Sequence, residues 1–374
     1  MQKPVLGVGL VGAGFMGRCH ANAFRSVGGL FDLPRRPALA VLADISDAAA
    51  QRNAAALGFA RATADWSALT ADPEVDVVAV TAPNVLHEPI VLSAVAAGKA
   101  VYCEKPLSTT AASARRMTEA AHAAGVPTLV GFNFLRNPMI RLARQIVAAG
   151  EIGEITGFHG RHAENYMARS DAPHSFRTDP HGGGALADIG SHVISLARYL
   201  VGPITRTSAS CRTIFPDRPR APGASETAPV EVDDMTHALV TFASGAEGSI
   251  EANWAATGRT MDLSFEITGT RGAVAFSQER MNELLLWSGM SGRSGFTRIE
   301  AGPEHPPYGA FCPAPGHHLG FNDLKVIEVA ELIQGIGGTG PLFPDFREAL
   351  AVQETVEAMQ RSSARRMWED VRAA

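Results

Sequence analysis

The sequence predicts an α/β protein of two domains. The first is a doubly wound parallel sheet. The second is an α+β domain built on a large, mostly antiparallel open sheet. Three observations carry this. Up to about residue 132, short apolar runs alternate with helix-like segments, the pattern of βαβ units. Beyond about residue 150, strand-like runs follow one another across turns such as Ser244-Gly245 and Gly269-Thr270, the pattern of an antiparallel or mixed sheet. At 374 residues, the chain is long enough for two domains, each with its own core. The expected division is 1–132 and 133–374.

The first strand, 5–11, ends in Gly12-Ala13-Gly14-Phe15-Met16-Gly17, and a helix is predicted from Phe15 to about Val27. This is G-x-G-x-x-G between strand and helix. Gly12 permits the tight turn, Gly14 lets backbone approach a pyrophosphate, and Gly17 lets the helix pack on the strand. The helix N-terminus, at Phe15 and Met16, offers free N–H groups to phosphate. The motif is weak alone; the strand–turn–helix context gives it weight and predicts a Rossmann dinucleotide site.

A second strand, 38–43, ends at Asp44, which lies 27 residues beyond Gly17, where about 20 is usual. Residues 28–37 read as an inserted loop that accounts for the excess. An acid here accepts from ribose hydroxyls and repels a 2′-phosphate, and Ile45 and Ser46 supply no cation, so NAD is expected over NADP. The alternative is that Asp44 caps the helix starting near Asp47. Strands at 75–81, 100–103 and 127–132 alternate with helices at 89–97 and 110–124. Ligands on such sheets bind at the strands' carboxyl ends. Those ends carry Pro83-Asn84, with His87 just beyond, Glu104-Lys105-Pro106 and Asn133. A lysine after a strand is most often solvated, and Asn84 and His87 read equally as loop-capping residues.

In the second domain, strands are predicted at 152–166, 206–215, 231–243, 248–256, 261–268, 272–276 and 283–287. The Pro- and Ala-rich stretch 216–229 reads as a surface loop, and helices are expected at 323–336 and 346–361. A large sheet with few helices leaves one face to cover. A homodimer or homotetramer formed through flat apolar sheet surface is therefore expected.

Between these elements lies Gly182-Gly183-Gly184-Ala185-Leu186-Ala187-Asp188-Ile189-Gly190-Ser191-His192. Leu186, Ile189, Val193, Leu196 and Leu200 form one apolar helical stripe, and Asp188, His192, Ser195 and Tyr199 form a second. A carboxylate and an imidazole on one face can act as an acid/base unit, although a lone Asp-x-x-x-His is most often an ordinary helix pair. Asn133, Tyr166 and Arg177 offer directional hydrogen bonds suited to a polyhydroxylated ligand, and each reads equally well as a surface or structural residue. His318, before the last two helices, is within reach of the site in sequence order but reads first as a capping or exposed residue.

Composition excludes several classes. A formal charge of −5 gives no basic patch, so nucleic acid is an unexpected partner. No apolar run reaches the ~18 residues of a membrane helix. Met1-Gln2-Lys3-Pro4 leads directly into a strand-like run without the features of a signal peptide. Cys19, Cys103, Cys211 and Cys312 are dispersed and read as reduced, which suits the cytoplasm. The twelve histidines show no metal-ligand spacing beyond His317-His318, so no metal is expected.

With these motifs in order, the chain resembles the glucose-fructose oxidoreductase/inositol dehydrogenase (Gfo/Idh/MocA) family over essentially its whole length. Residues 31–34 and 302–306 look like its levoglucosan dehydrogenase-like branch. The resemblance implies that Lys105 touches both cofactor and substrate hydroxyl, and that Asp188 and His192 face the substrate. Relatives often carry an acid three residues after the histidine; here it is Ser195, which puts in doubt whatever contact that acid supplies. The chemistry expected is hydride transfer between nicotinamide and a secondary alcohol of a sugar, anhydrosugar or cyclitol. His192 would move the hydroxyl proton, Lys105 would stabilise the alkoxide, and Asp188 would orient and balance them. The alternatives are a keto-sugar reductase, a glycoside hydrolase using NAD without net redox, and a sensor that keeps the fold without catalysis.

Overall fold

The structure, a computed structural model, describes residues 3–179, 181–289 and 294–374. The chain forms two compact units. The first is Met1–Arg136 with Gly320–Leu350, and the second is Asn137–Leu319 with Ala351–Ala374. The sequence pattern placed everything after residue 132 in the second domain. The return of 320–350 to the first unit is invisible to periodicity, because it depends on which core a helix joins.

In the first unit the elements are β1 (Val5–Val11), α1 (Phe15–Leu30), β2 (Arg36–Ala43), α2 (Asp47–Leu57), β3 (Arg61–Thr63), α3 (Trp66–Ala71), β4 (Val77–Val80), α4 (His87–Ala96), β5 (Ala100–Cys103), α5 (Ala111–Ala124) and β6 (Thr128–Val130). The strands are parallel in the order β3-β2-β1-β4-β5-β6. Their central residues are fully buried, Leu6, Val8, Val77, Val78 and Val101 among them, as expected for strands covered on both faces. Ser46 and Thr110 cap α2 and α5 through their hydroxyls. The insertion before β2 is shorter than expected. Gly28 and Gly29 lie within α1, and the turn spans only 31–35.

The second unit begins with α6 (Pro138–Ala148), which the sequence reading missed, and β7 (Ile155–Ala163). A π-helical turn, Leu186–Gly190, leads into α7 (Ser191–Leu200). Then come β8 (Ile204–Arg212), β9 (Asp217–Pro219), β10 (Thr227–Pro229), β11 (Met235–Phe242), β12 (Glu247–Asn253), β13 (Asp262–Gly269), β14 (Ala273–Ser277), β15 (Glu283–Trp287) and β16 (Thr297–Glu300). The chain returns to the first unit with α8 (Phe321–Ile336). It then runs through α9 (Phe346–Arg365), which belongs to the second unit from Ala351 onward, to β17 (Glu369–Asp370). The sheet order is β16-β15-β14-β13-β7-β12-β11-β8-β17, antiparallel except for the parallel pair β7–β12. The stretch expected as a plain loop contains the hairpin β9–β10.

Helices α6 and α7 pack on one face of this sheet. The apolar stripe of α7 is buried there, Val193 and Leu200 completely. The opposite face departs from expectation. In place of a flat apolar surface it presents a concavity of about 720 Å³ lined by polar side chains such as His159, Arg161, Ser210, His237 and Glu251. Apolar residues line it too, Leu239 the most exposed of the large ones. Cross-strand pairs such as Arg161–Glu251 (3.1 Å) knit it together.

Candidate active site

In the first unit the functional side chains cluster where the strands end. Gly12 has φ +93°, and its N–H donates to Ala43 O (2.9 Å). Thr81 Oγ1 donates to Gly12 O (2.6 Å), tying the loop to β4. A Cβ at Gly17 would sit 2.1 Å from Gly12 O, so only glycine allows this approach of helix to loop. A Cβ at Gly14 would meet nothing within 4 Å. No side chain caps the N-terminus of α1, and its first turn holds no acid. An open cradle under a positive helix end fits a dinucleotide pyrophosphate. Phe15 and Ile45 are exposed beside it, and Met16 is half-buried.

Asp44 follows β2. Its Oδ2 accepts from Asn53 Nδ2 (2.7 Å) and its Oδ1 from Ile45 N–H (2.8 Å). Ser46, not Asp44, caps α2, which leaves the Asp44 carboxylate fixed at the strand end, as a ribose contact requires.

Pro83 precedes a 3₁₀ turn that begins at Asn84. His87 is buried beneath it. One ring nitrogen faces Pro106 O (3.0 Å) and the other faces Ala82 O (3.0 Å), so the ring sits enclosed between the carbonyls of two loops. Burial lowers its pKa, against the pull of those carbonyls. Glu104 is engaged by side chains of its own unit. Its Oε1 accepts from His20 Nε2 and Lys325 Nζ (both 2.7 Å), and its Oε2 faces the backbone N–H of Lys105 (3.3 Å). Burial alone would raise its pKa; Lys325 and His20 outweigh burial and hold it well below the usual carboxylate range. Lys105 itself is half-buried at the end of β5. Asn133 is buried, and its Nδ2 has no partner among the described residues.

In the second unit the π turn carries Asp188, and α7 carries His192 and Ser195. Asp188 Oδ2 accepts from Tyr166 OH (3.0 Å) and Arg177 Nε (2.9 Å). Both donors were expected at the substrate, and both serve to hold this carboxylate. The sequence stripes assumed an unbroken α-helix; the extra residue of the π turn, a feature frequent at functional sites, shifts that register. His162, which sequence reasoning missed, places Nδ1 2.8 Å from Ile189 O and Nε2 3.0 Å from Glu164 Oε1. Its ring lies 5.6 Å from that of His192. Ser195 Oγ is buried without a partner among the described residues. His318 is exposed, with φ +62°. Among the described residues no group of three or more His, Cys, Asp or Glu is arranged to hold a metal ion.

Two adjacent buried aspartates brace this side. Asp233 Oδ2 accepts from Leu186 N–H (3.0 Å) and Thr236 Oγ1 (2.8 Å), and its carbonyl accepts from Ala185 N–H (2.9 Å). It thereby anchors the turn after Gly184, where φ is +71°. Asp234 Oδ1 accepts from Trp254 Nε1 (2.6 Å) and Arg218 (3.1 Å), and its Oδ2 from Ile214 and Phe215 N–H groups. Arg218, fully buried in β9, also donates to Met167 O and Arg169 O, fixing the segment after Tyr166. Trp254 packs against Tyr166. The Asp-Asp doublet was the available sequence signal.

Burial pushes the Asp233 carboxyl up to about 7, above its unfolded value near 4. The stability this proton supplies is full below about pH 4 and is lost as pH rises through about 7. Asp233→Asn is therefore expected to show a smaller drop in melting temperature than wild type between about pH 5 and about pH 8. An unchanged pH dependence would contradict this.

Comparison with known proteins places this geometry. Residues 6–132 match the model of an oxidoreductase family with an NAD-binding Rossmann fold, and residues 140–275 match the Gfo/Idh/MocA C-terminal domain. Levoglucosan dehydrogenase of Pseudarthrobacter phenanthrenivorans is 35% identical over 382 residues, covering 98% of each chain. A solved levoglucosan dehydrogenase in complex with NADH and levoglucosan superposes with TM-score 0.95 at 36% identity, covering 99% of this chain and 100% of that one. An NAD-binding oxidoreductase from Klebsiella pneumoniae is 42% identical, with TM-score 0.94 over 99% of this chain and 100% of its own.

Proposed function

Because the chain belongs to the Gfo/Idh/MocA oxidoreductase family, we propose that it is an NAD-dependent dehydrogenase of a secondary alcohol in an anhydrosugar, sugar or cyclitol, with levoglucosan-like anhydrosugars first among them. The observation that carries this is the Asp188 carboxylate, held by Tyr166 and Arg177 one turn before His192, in a chain that also presents an open glycine cradle. NAD, held by Gly12–Gly17 and Asp44, supplies the hydride acceptor. His192 takes the hydroxyl proton. The Lys105 ammonium stabilises charge as it develops on the carbinol oxygen. Asp188 balances the imidazolium that forms. Run backward, the same groups reduce the keto-sugar. The test is an initial-rate screen of NADH formation over anhydrosugars, sugars and inositols; absence of reduction with every alcohol, by protein that binds NAD, would sink the reading.

The fixed Asp44 carboxylate would oppose a 2′-phosphate, so NAD is expected to bind more tightly than NADP, and Asp44→Ser should narrow the gap. Calorimetric titration with both nucleotides checks this; equal affinity in wild type would count against it.

The polar open face of the nine-stranded sheet suits a self-complementary interface, and a homodimer or homotetramer is proposed on that ground. Monomeric mass in light scattering at micromolar concentration would contradict it. Among the described residues no helix is long and apolar enough to cross a membrane. All four cysteines are free, which supports a reducing compartment such as the cytoplasm; native enzyme carrying a disulfide would argue otherwise.

A further inference from the structure

Lys325 is completely buried in α8, in the run Leu324-Lys325-Val326-Ile327-Glu328-Val329. Its ammonium donates to Glu104 Oε1 (2.7 Å), Glu328 Oε2 (2.7 Å) and Tyr102 OH (3.1 Å). Tyr102 OH donates in turn to Glu328. His20 stacks on the Tyr102 ring at 4.3 Å and reaches Glu104 from the other side. Burial and the Lys325 charge lower the pKa of His20, so it is neutral and donates through Nε2, consistent with an Nδ1 that is buried without a partner. Arg136 lies 3.7 Å from Glu328. Burial works against the Lys325 ammonium, and the two carboxylates outweigh it.

A buried cluster of this kind is a poor way to gain stability, since apolar residues of the same volume usually do as well or better. It does have a definite end point. Glu104 is the residue before Lys105, and its second oxygen faces the Lys105 amide. A Cβ on Gly131 would lie 2.6 Å from the Glu104 carboxylate, so the end of β6 confines that side chain as well. We propose that Lys325 is a positioning residue for the reaction. By neutralising and orienting Glu104 from α8, it fixes the backbone at Lys105 and so the place from which the catalytic ammonium acts. The idea rests on the dehydrogenase reading for its consequence in turnover, but not for its structural step.

The test pairs Lys325→Met/Glu328→Leu, which replaces one buried ion pair by apolar volume, with Glu104→Gln, which keeps the shape of the end point. Hydrogen exchange on enzyme without substrate reads the structural step. The Lys105 amide should exchange ~10-fold faster or more in both variants, while β1 and β4 keep their protection. With levoglucosan and NAD, kcat should fall ~10–100-fold, the KM for NAD should change little, and Lys325→Arg should recover much of the loss. Unchanged exchange at Lys105, or a uniform rise across the unit, would overturn the proposal and leave the cluster a purely structural one. Should the double variant fail to fold, Glu104→Gln decides by the same two readings. If wild type forms no NADH from levoglucosan, the substrate reading fails while the exchange measurement still decides this one.

Discussion

Lys105→Met and His192→Ala are each expected to lower kcat by ~10²-fold or more while the protein stays folded. The first removes the cation that meets the developing alkoxide, and the second removes the group that takes the proton. Their side effects should differ. Lys105 follows β5 in the NAD-binding unit, so its loss is expected to weaken NAD binding as well. His192 belongs to the other unit, and NAD affinity should persist without it. Steady-state rates, a NAD titration and a melting curve on both variants separate these outcomes. Normal turnover in His192→Ala would end its assignment as base. Loss of folding in that variant would mean that its burial in α7 matters more than its chemistry.

Asp234→Ala is expected to have the largest effect on stability. It strips the buried Arg218 guanidinium of its carboxylate and leaves Trp254 Nε1 and the Ile214 and Phe215 amides without their acceptor. Removing one partner of a buried ion pair costs about 3–5 kcal/mol, enough to lower the melting temperature by roughly 10 °C. The double change Asp234→Leu/Arg218→Met should recover part of that loss, because no charge is then left unpaired. Equal losses in the single and double variants would show that the backbone amides, not the ion pair, carry the effect. Activity should fall beyond the loss of folded protein, since Arg218 holds the carbonyls just after Tyr166.

Which parts could be read in advance follows from the range of the forces involved. The glycine loop was legible because each glycine answers a local demand: a positive φ at Gly12, a close contact at Gly17. Strands β5 and β15 were placed to the residue, because apolar runs between turn signals define them. The hairpin β9–β10 was hidden because its prolines and alanines resemble loop, while its fixed point, Arg218, is a buried cation that no periodicity reveals. The π turn under Asp188 was read as α-helix, since one extra residue in a turn leaves no signature in composition. Asp188, His192 and Lys105 stood out through motif spacing. His162, Lys325 and Asp234 act through partners far away in sequence. Lys325 did leave one trace, a lysine and a glutamate three apart in an otherwise apolar helical run.

A sheet covered on one side was expected to leave an apolar face, yet serine, histidine, arginine and glutamate line the open face of the second sheet together with apolar residues such as Leu239. Alternation along β11 follows the usual rule of one buried and one solvated face. A second copy docking there, as proposed, would rest on complementarity rather than on hydrophobic area.

Passage of hydride from a carbinol carbon of the sugar to NAD is open to test by label transfer. The protein is incubated with NAD and levoglucosan fully deuterated on carbon, and the nucleotide is examined by mass spectrometry. Reduced nucleotide carrying a single deuterium, formed in step with a keto-sugar, is the expected result. Sugar consumed with the nucleotide left oxidised and unlabelled, or reduced nucleotide without deuterium, would contradict it.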